Sequence, residues 1–208
     1  MLDSKRFEDL VRRVGGQYRP ADLADLEAAY SEDHRAYHTA EHIQTCLAEL
    51  DRSHSLCERP DEVELALWYH DAVYKTRASD NEEQSALWAV RVLTEVGAPV
   101  GTAERVAALI RATTHDGAPS TQDAKVLVDI DLSILGAPEA LFGEYETQIR
   151  LEYRWVPMLL YRSSRARILR SFLARDSIYS TPAYRDRLEE QARANLAHSI
   201  LSLGGPMD

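Results

Sequence analysis

The chain has 208 residues, 45% of them hydrophobic and 8% aromatic, a composition that excludes wholesale disorder and is ample for one well-buried domain. Its formal net charge of -10 excludes non-specific binding to nucleic acid, which needs a surplus of Lys and Arg to neutralise phosphates. No apolar run reaches the roughly 18 residues of a spanning helix and the opening "MLDSKRFEDL" is too charged for a secretory segment, so no membrane partner is expected and the chain is placed in the cytoplasm.

Helical periodicity runs through residues 3–14, 20–33, 37–53, 61–74, 80–96, 102–115, 121–135, 138–154, 157–175 and 182–202. The breaks gather Gly and Pro, as in "RVGGQYRP", "CERPDE", "EVGAPVG", "HDGAPST" and "LGAPEA". Period-two alternation, linker composition and internal repeats are all missing, which predicts a single all-α domain over residues 1–208.

In the third predicted helix, "RAYHTAEHIQTCL" sets Ala36, Ala40, Ile43, Cys46 and Leu47 on an apolar stripe with His38 and His42 sharing a face beside it. A solvated histidine pair fits that pattern as well as a reaction centre does. In the fourth, "PDEVELALWYHDAVY", Val63, Ala66, Leu67, His70 and Tyr74 follow one stripe, so His70 points where a core side chain belongs and Asp71 follows it. Burying an imidazole and a carboxylate there is costly unless each is hydrogen-bonded, ion-paired or bound to a cation. The fifth opens on "SDNEEQSA", where Ser79 or Asp80 with Glu82 or Glu83 reads as a capping box. The sixth ends at His115, before a Gly-containing turn. In the seventh, "DAKVLVDIDLSILG", Asp131 shares a stripe with Ala124, Leu127, Val128 and Leu135, whereas Asp129 falls with Gln122, Lys125 and Ser133 on a face expected to be solvated.

The last third is basic: residues 150–208 carry 10 Lys and Arg against 6 Asp and Glu. That excess suits an acidic partner surface or a phosphate-bearing substrate, or simply a mixed surface with Arg stems lying on the core. Tyr153, Tyr161 and Tyr179 read as packing residues, with the lining of a base-binding pocket as the alternative, and the region is expected to close a pocket or to form a homodimer interface. Both cysteines, Cys46 and Cys57, are expected as free thiols.

Collected from three helices, His42, His70, Asp71 and Asp131 make a set of nitrogen and carboxylate donors without thiolate, which suits Mn, Fe, Mg or Zn rather than a soft metal. A helical bundle supplies the groove between neighbouring helices where such side chains converge. The order H…HD…D over residues 35–135 resembles the HD-domain metal-dependent phosphohydrolases. "YH…EH", "LWYHDAVY", "DNEEQSA" and "DIDLSILG" together are similar to a group of small HD-family proteins. The resemblance implies an HD-type helical bundle, His42, His70, Asp71 and Asp131 as metal ligands, and hydrolysis of a phosphate ester, nucleotides among the candidate substrates. "YHTAEH" is also similar to the H-N-x-x-H element of cyclic-nucleotide phosphodiesterases, implying His38 as proton donor, although Thr39 replaces the usual Asn. Arg35 is the candidate phosphate clamp. Asp80, Glu83 and His115 are candidates for an outer or second metal position. Two rival readings stand beside this one: an H-x-x-E-H zinc protease built on His38, Glu41 and His42, and a metal-binding module without turnover.

Overall fold

Each of the ten amphipathic segments forms a helix in the computed structural model, which describes residues 2–204. They are α1 (Ser4–Arg13), α2 (Pro20–Ala29), α3 (Ala40–Ser53), α4 (Pro60–Tyr69), α5 (Asn81–Glu95), α6 (Val100–Arg111), α7 (Gln122–Asp131), α8 (Glu139–Glu152), α9 (Met158–Leu173) and α10 (Pro182–Ser202). No strand occurs among the described residues. Proline opens α2, α4 and α10, where its missing N–H is no loss and its fixed φ suits the first turn. Glycines in the left-handed region follow α1 and α5, at Gly15 (φ 84°) and Gly97 (φ 79°).

Among the boundaries that differ from the sequence expectation, two shape the site. Residues 30–39 are a loop, so His38 precedes α3 instead of lying on it, and Thr39 is its N-cap, accepting from Glu41 N at 3.3 Å. Helix α4 stops at Tyr69, five residues early, although nothing in "WYHDAVYK" breaks a helix. Its stop is made by tertiary partners. Arg35 donates to the carbonyls of Asp71 (2.7 Å) and Ala72 (3.1 Å), and Ser85 Oγ accepts from Val73 N at 3.0 Å.

The chain divides into two compact units, Met1–Ile130 and Asp131–Asp208. In the first, α4 is central: every residue from Glu62 to Tyr69 is buried, and the helix packs against α1, α3, α5 and α6. Truncating a fully buried side chain such as Leu65 or Leu67 to Ala costs about 2–5 kcal/mol in such a setting. Its two buried carboxylates are paired. Glu62 accepts both arms of Arg105 (2.7 and 2.5 Å), and Glu64 accepts from Arg6 (2.6 Å) and Arg13 (3.2 Å). In the second unit, α10 packs on α9 and on the 3₁₀ turn Leu132–Gly136. A Cβ at Gly136 would meet Leu188 Cβ at 2.6 Å, so only glycine allows this approach. Asn195 completes the contact by donating to the carbonyls of Leu135 and Ala137, both at 2.8 Å.

Candidate metal centre

Because α4 ends at Tyr69, His70 and Asp71 stand at its C-terminal mouth. His70 N donates to Ala66 O (2.8 Å), which fixes the backbone, and Nδ1–H donates to the Leu67 carbonyl at 3.0 Å, which fixes the ring. With its proton on Nδ1, His70 presents Nε2 as a lone pair. In the first turn of α3, His42 sends its own Nε2 to the same point, 3.2 Å from His70 Nε2. Asp71 Oδ2 lies 3.0 Å from His70 Nε2 and 3.5 Å from His42 Nε2. Both histidines are buried and Asp71 is half-buried. Two imidazole nitrogens and a carboxylate oxygen facing one another repel unless a proton or a cation lies between them. Donors with these separations lie on a circle of radius about 1.9 Å, and an ion just off its centre meets all three at about 2.1 Å, a normal Zn–N or Zn–O length.

His42, Cys46, His70 and Asp131 also form a group whose ligand atoms all lie within 4.8 Å of one another. Asp131 is the last residue of α7 and is half-buried. Cys46 is the member that the sequence reading missed, having been counted with the apolar stripe. The signal was there: Cys46 follows His42 by four residues, on one helix face. Its Sγ lies 3.7 Å from both ring nitrogens of His42. A thiol in the group widens the donor set beyond the nitrogen and carboxylate set expected and adds zinc-type softness.

Asp129 corrects the sequence reading in the other direction. Expected on a solvated face, it is fully buried, while Asp131 keeps partial exposure. Helix α7 is covered on nearly every side: Asp123, Ala124 and all of residues 126–130 are buried, so a one-stripe reading of its sequence misassigns the second face. The donor group contains Asp131 and not Asp129.

His38, half-buried in the turn before α3, stacks on Tyr74 with ring centroids 4.1 Å apart and stands edge-on to His42 at 6.0 Å. Arg35, expected on a helix as a phosphate clamp, is instead in the loop with a side chain that is 0% exposed. Its Nε donates to Glu32 (3.0 Å) and its Nη atoms donate to the carbonyls of His38 (3.0 Å), Asp71 and Ala72. Its guanidinium carbon lies 5.2 Å from the Tyr30 ring centre and 5.5 Å from that of Tyr74. It therefore ties the His38 loop to the His70–Asp71 turn. None of the three outer candidates is a member of the donor group. Asp80 is exposed, caps α5 without a side-chain bond and accepts from Gln84, so the expected capping box is not formed. Glu83 is held bidentate by Arg111 at 2.5 and 2.9 Å. His115 ends a 3₁₀ turn in the left-handed region, φ 58°.

Charges around the centre are strongly coupled. Burial pushes the Asp71 carboxyl up, but when Nε2 of His70 and of His42 carries a proton instead of meeting a cation, the His70 and His38 imidazoles and hydrogen bonds from those two Nε2 atoms hold it well below the usual carboxylate range. Burial and the Asp71 charge push the Tyr30 phenol up, so it stays a neutral donor to the Trp68 carbonyl at 2.9 Å. Both cysteines are free thiols. No helix among the described residues is long and apolar enough to cross a membrane. Neither a family model, nor a curated protein, nor a solved structure matches the chain.

Proposed function

We propose that the chain is a divalent-metal-dependent phosphohydrolase of the HD-domain kind, acting on a phosphate ester of a small molecule, with nucleotides among the candidate substrates. One observation carries the reading: His42 Nε2, His70 Nε2 and Asp71 Oδ2 face each other within 3.5 Å in a largely buried site, an arrangement that a divalent cation would satisfy. His42, His70, Asp71 and Asp131 would hold it. Mn, Fe, Mg and Zn suit the nitrogens and carboxylates, and Cys46 beside them favours the Fe and Zn end of that series. When bound, the ion supplies a hydroxide near neutral pH and polarises phosphoryl oxygens.

The chain's own groups divide the remaining work. His70 keeps its Nε2 directed inward through the Nδ1–H bond to Leu67, and Asp71 contributes the negative charge that retains the ion. His38 sits at the edge of the centre with its ring braced on Tyr74, a suitable position from which to protonate a leaving oxygen. Arg35 acts as a positioning residue for the loop that carries His38, its guanidinium taken up by backbone carbonyls instead of a phosphate.

The zinc-protease reading requires His38 and His42 on one helical face. His38 lies before the N-cap of α3 and Glu41 is exposed, so no geometry favours it. The test is metal analysis of the purified protein, followed by hydrolysis of p-nitrophenyl phosphate and a nucleotide panel before and after chelation. Chelation should abolish turnover and added metal should restore it. A stoichiometric metal with no hydrolysis of any phosphate ester would leave a binding module and refute the enzyme reading.

A further inference from the structure

The second unit carries a feature that the proposed chemistry does not use. Between residues 150 and 175 the chain has seven arginines, no lysine and one acid, Glu152, which is buried. Arg165 is consumed internally by Tyr145 and Glu146, and Arg150 by the carbonyls of Tyr153 and Val156. Arg154, Arg162 and Arg167 are exposed, and none is paired with a carboxylate among the described residues. Within the same stretch, Leu151, Trp155, Met158, Leu159, Leu160 and Ile168 are exposed, six of the ten exposed large hydrophobics among the described residues. Leu159 is 83% exposed and Leu160 60%. Apolar side chains concentrated in this way mark a contact surface.

The geometry narrows what covers it. Met158, Leu159 and Leu160 are consecutive in the first turn of α9, so their side chains fan over about 200° around the helix. A single groove or flat protein face covers one side of such a tip, whereas a fluid medium surrounds it. An isologous second copy would also bring this basic patch, with Arg154, Arg162 and Arg167, against the same basic patch of its partner. Anionic headgroups meet those charges favourably, with the apolar side chains entering the acyl boundary and the Trp155 indole at its polar edge. The overall charge of -10 is no obstacle, since charges more than a Debye length of about 8 Å from the tip are screened at physiological salt.

We propose that residues Trp155–Leu160 insert peripherally into the surface of an anionic bilayer, with Arg154, Arg162 and Arg167 on its phosphates. This departs from the expectation of no membrane partner, which rested on the lack of a spanning run and of a secretory segment, and it stands independently of the hydrolase reading. The test is co-sedimentation of the full chain with vesicles of phosphatidylcholine alone or mixed with phosphatidylserine. Binding should require the anionic lipid, weaken at high salt and shift Trp155 emission to the blue, a shift that Trp155→Phe removes. Replacing Arg162 and Arg167 together by Ala should lower partitioning about thirty-fold, each arginine contributing a loss of about five- to six-fold at an anionic surface. Leu159→Gln with Leu160→Gln should lower it at least about tenfold. Absence of binding to anionic vesicles, or equal binding to neutral ones, overturns the proposal. So does a lipid-free dimer in sedimentation equilibrium that the double leucine variant dissociates, because a second copy would then be the occupant.

Discussion

Replacing Arg35 separates two roles that one residue cannot both fill. As a phosphate clamp, Arg35→Ala would raise KM and leave stability alone. The structure instead has its guanidinium buried between Tyr30 and Tyr74, donating to the carbonyls of His38, Asp71 and Ala72. Truncation strands three part-buried or buried acceptors at about 1–3 kcal/mol each, and relaxation and water entry bring the expected total to about 3–5 kcal/mol. The Glu32 pair adds little, because that carboxylate is 46% exposed. At about 2–4 °C per kcal/mol for a chain of this size, the melting temperature should fall by about 6–20 °C. Arg35→Lys should recover only part of this, since an ammonium lacks the planar fork that reaches three carbonyls at once. Scanning calorimetry of both variants, metal-free and metal-loaded, measures the effect. A melting temperature for Arg35→Ala within about 2 °C of the parent, together with a raised KM, would refute the positioning role and return Arg35 to the substrate.

His42→Ala and His70→Ala should each empty the site, read as metal per chain by elemental analysis, with activity falling in parallel. Asp129→Ala should keep the metal and lose about 1–3 kcal/mol of stability, because it withdraws a fully buried carboxylate from its neighbours; denaturant titration distinguishes the two effects. His38→Ala should retain metal and lose turnover by about 10² to 10⁴, the usual worth of general acid catalysis, with a smaller loss for p-nitrophenyl phosphate, whose leaving group needs little protonation. Burial, reinforced by the Asp123 charge, pushes the Cys57 thiol up to about 12, so the neutral form prevails through the physiological range. Alkylation of Cys57 in the folded protein, followed by mass spectrometry, should be slow at neutral pH and accelerate only as the pH approaches that value; fast labelling at neutral pH would contradict the burial argument.

All ten helices were legible in the sequence because amphipathic periodicity and Gly/Pro punctuation are local signals, and the local backbone obeys them wherever nothing stronger competes. His42, His70, Asp71 and Asp131 were legible for a related reason. A polar residue on an apolar stripe is costly to bury without a partner, and that cost can be read from spacing alone. The sequence did not determine where α4 stops, what Arg35 does or which aspartate of α7 is fully buried. Each depends on groups far along the chain: Arg35 reaches across 36 residues to the Asp71 carbonyl and thereby turns the His70–Asp71 segment out of the helix. Asp129 is buried because α7 is covered on more than one face, which a single stripe cannot reveal. Cys46 counted as one more apolar residue until α3 and α4 were placed together and its sulfur came beside His42 and His70. Helical phase is a property of a few neighbouring residues, whereas the partner that a buried polar group finds is chosen by packing between elements distant in the chain.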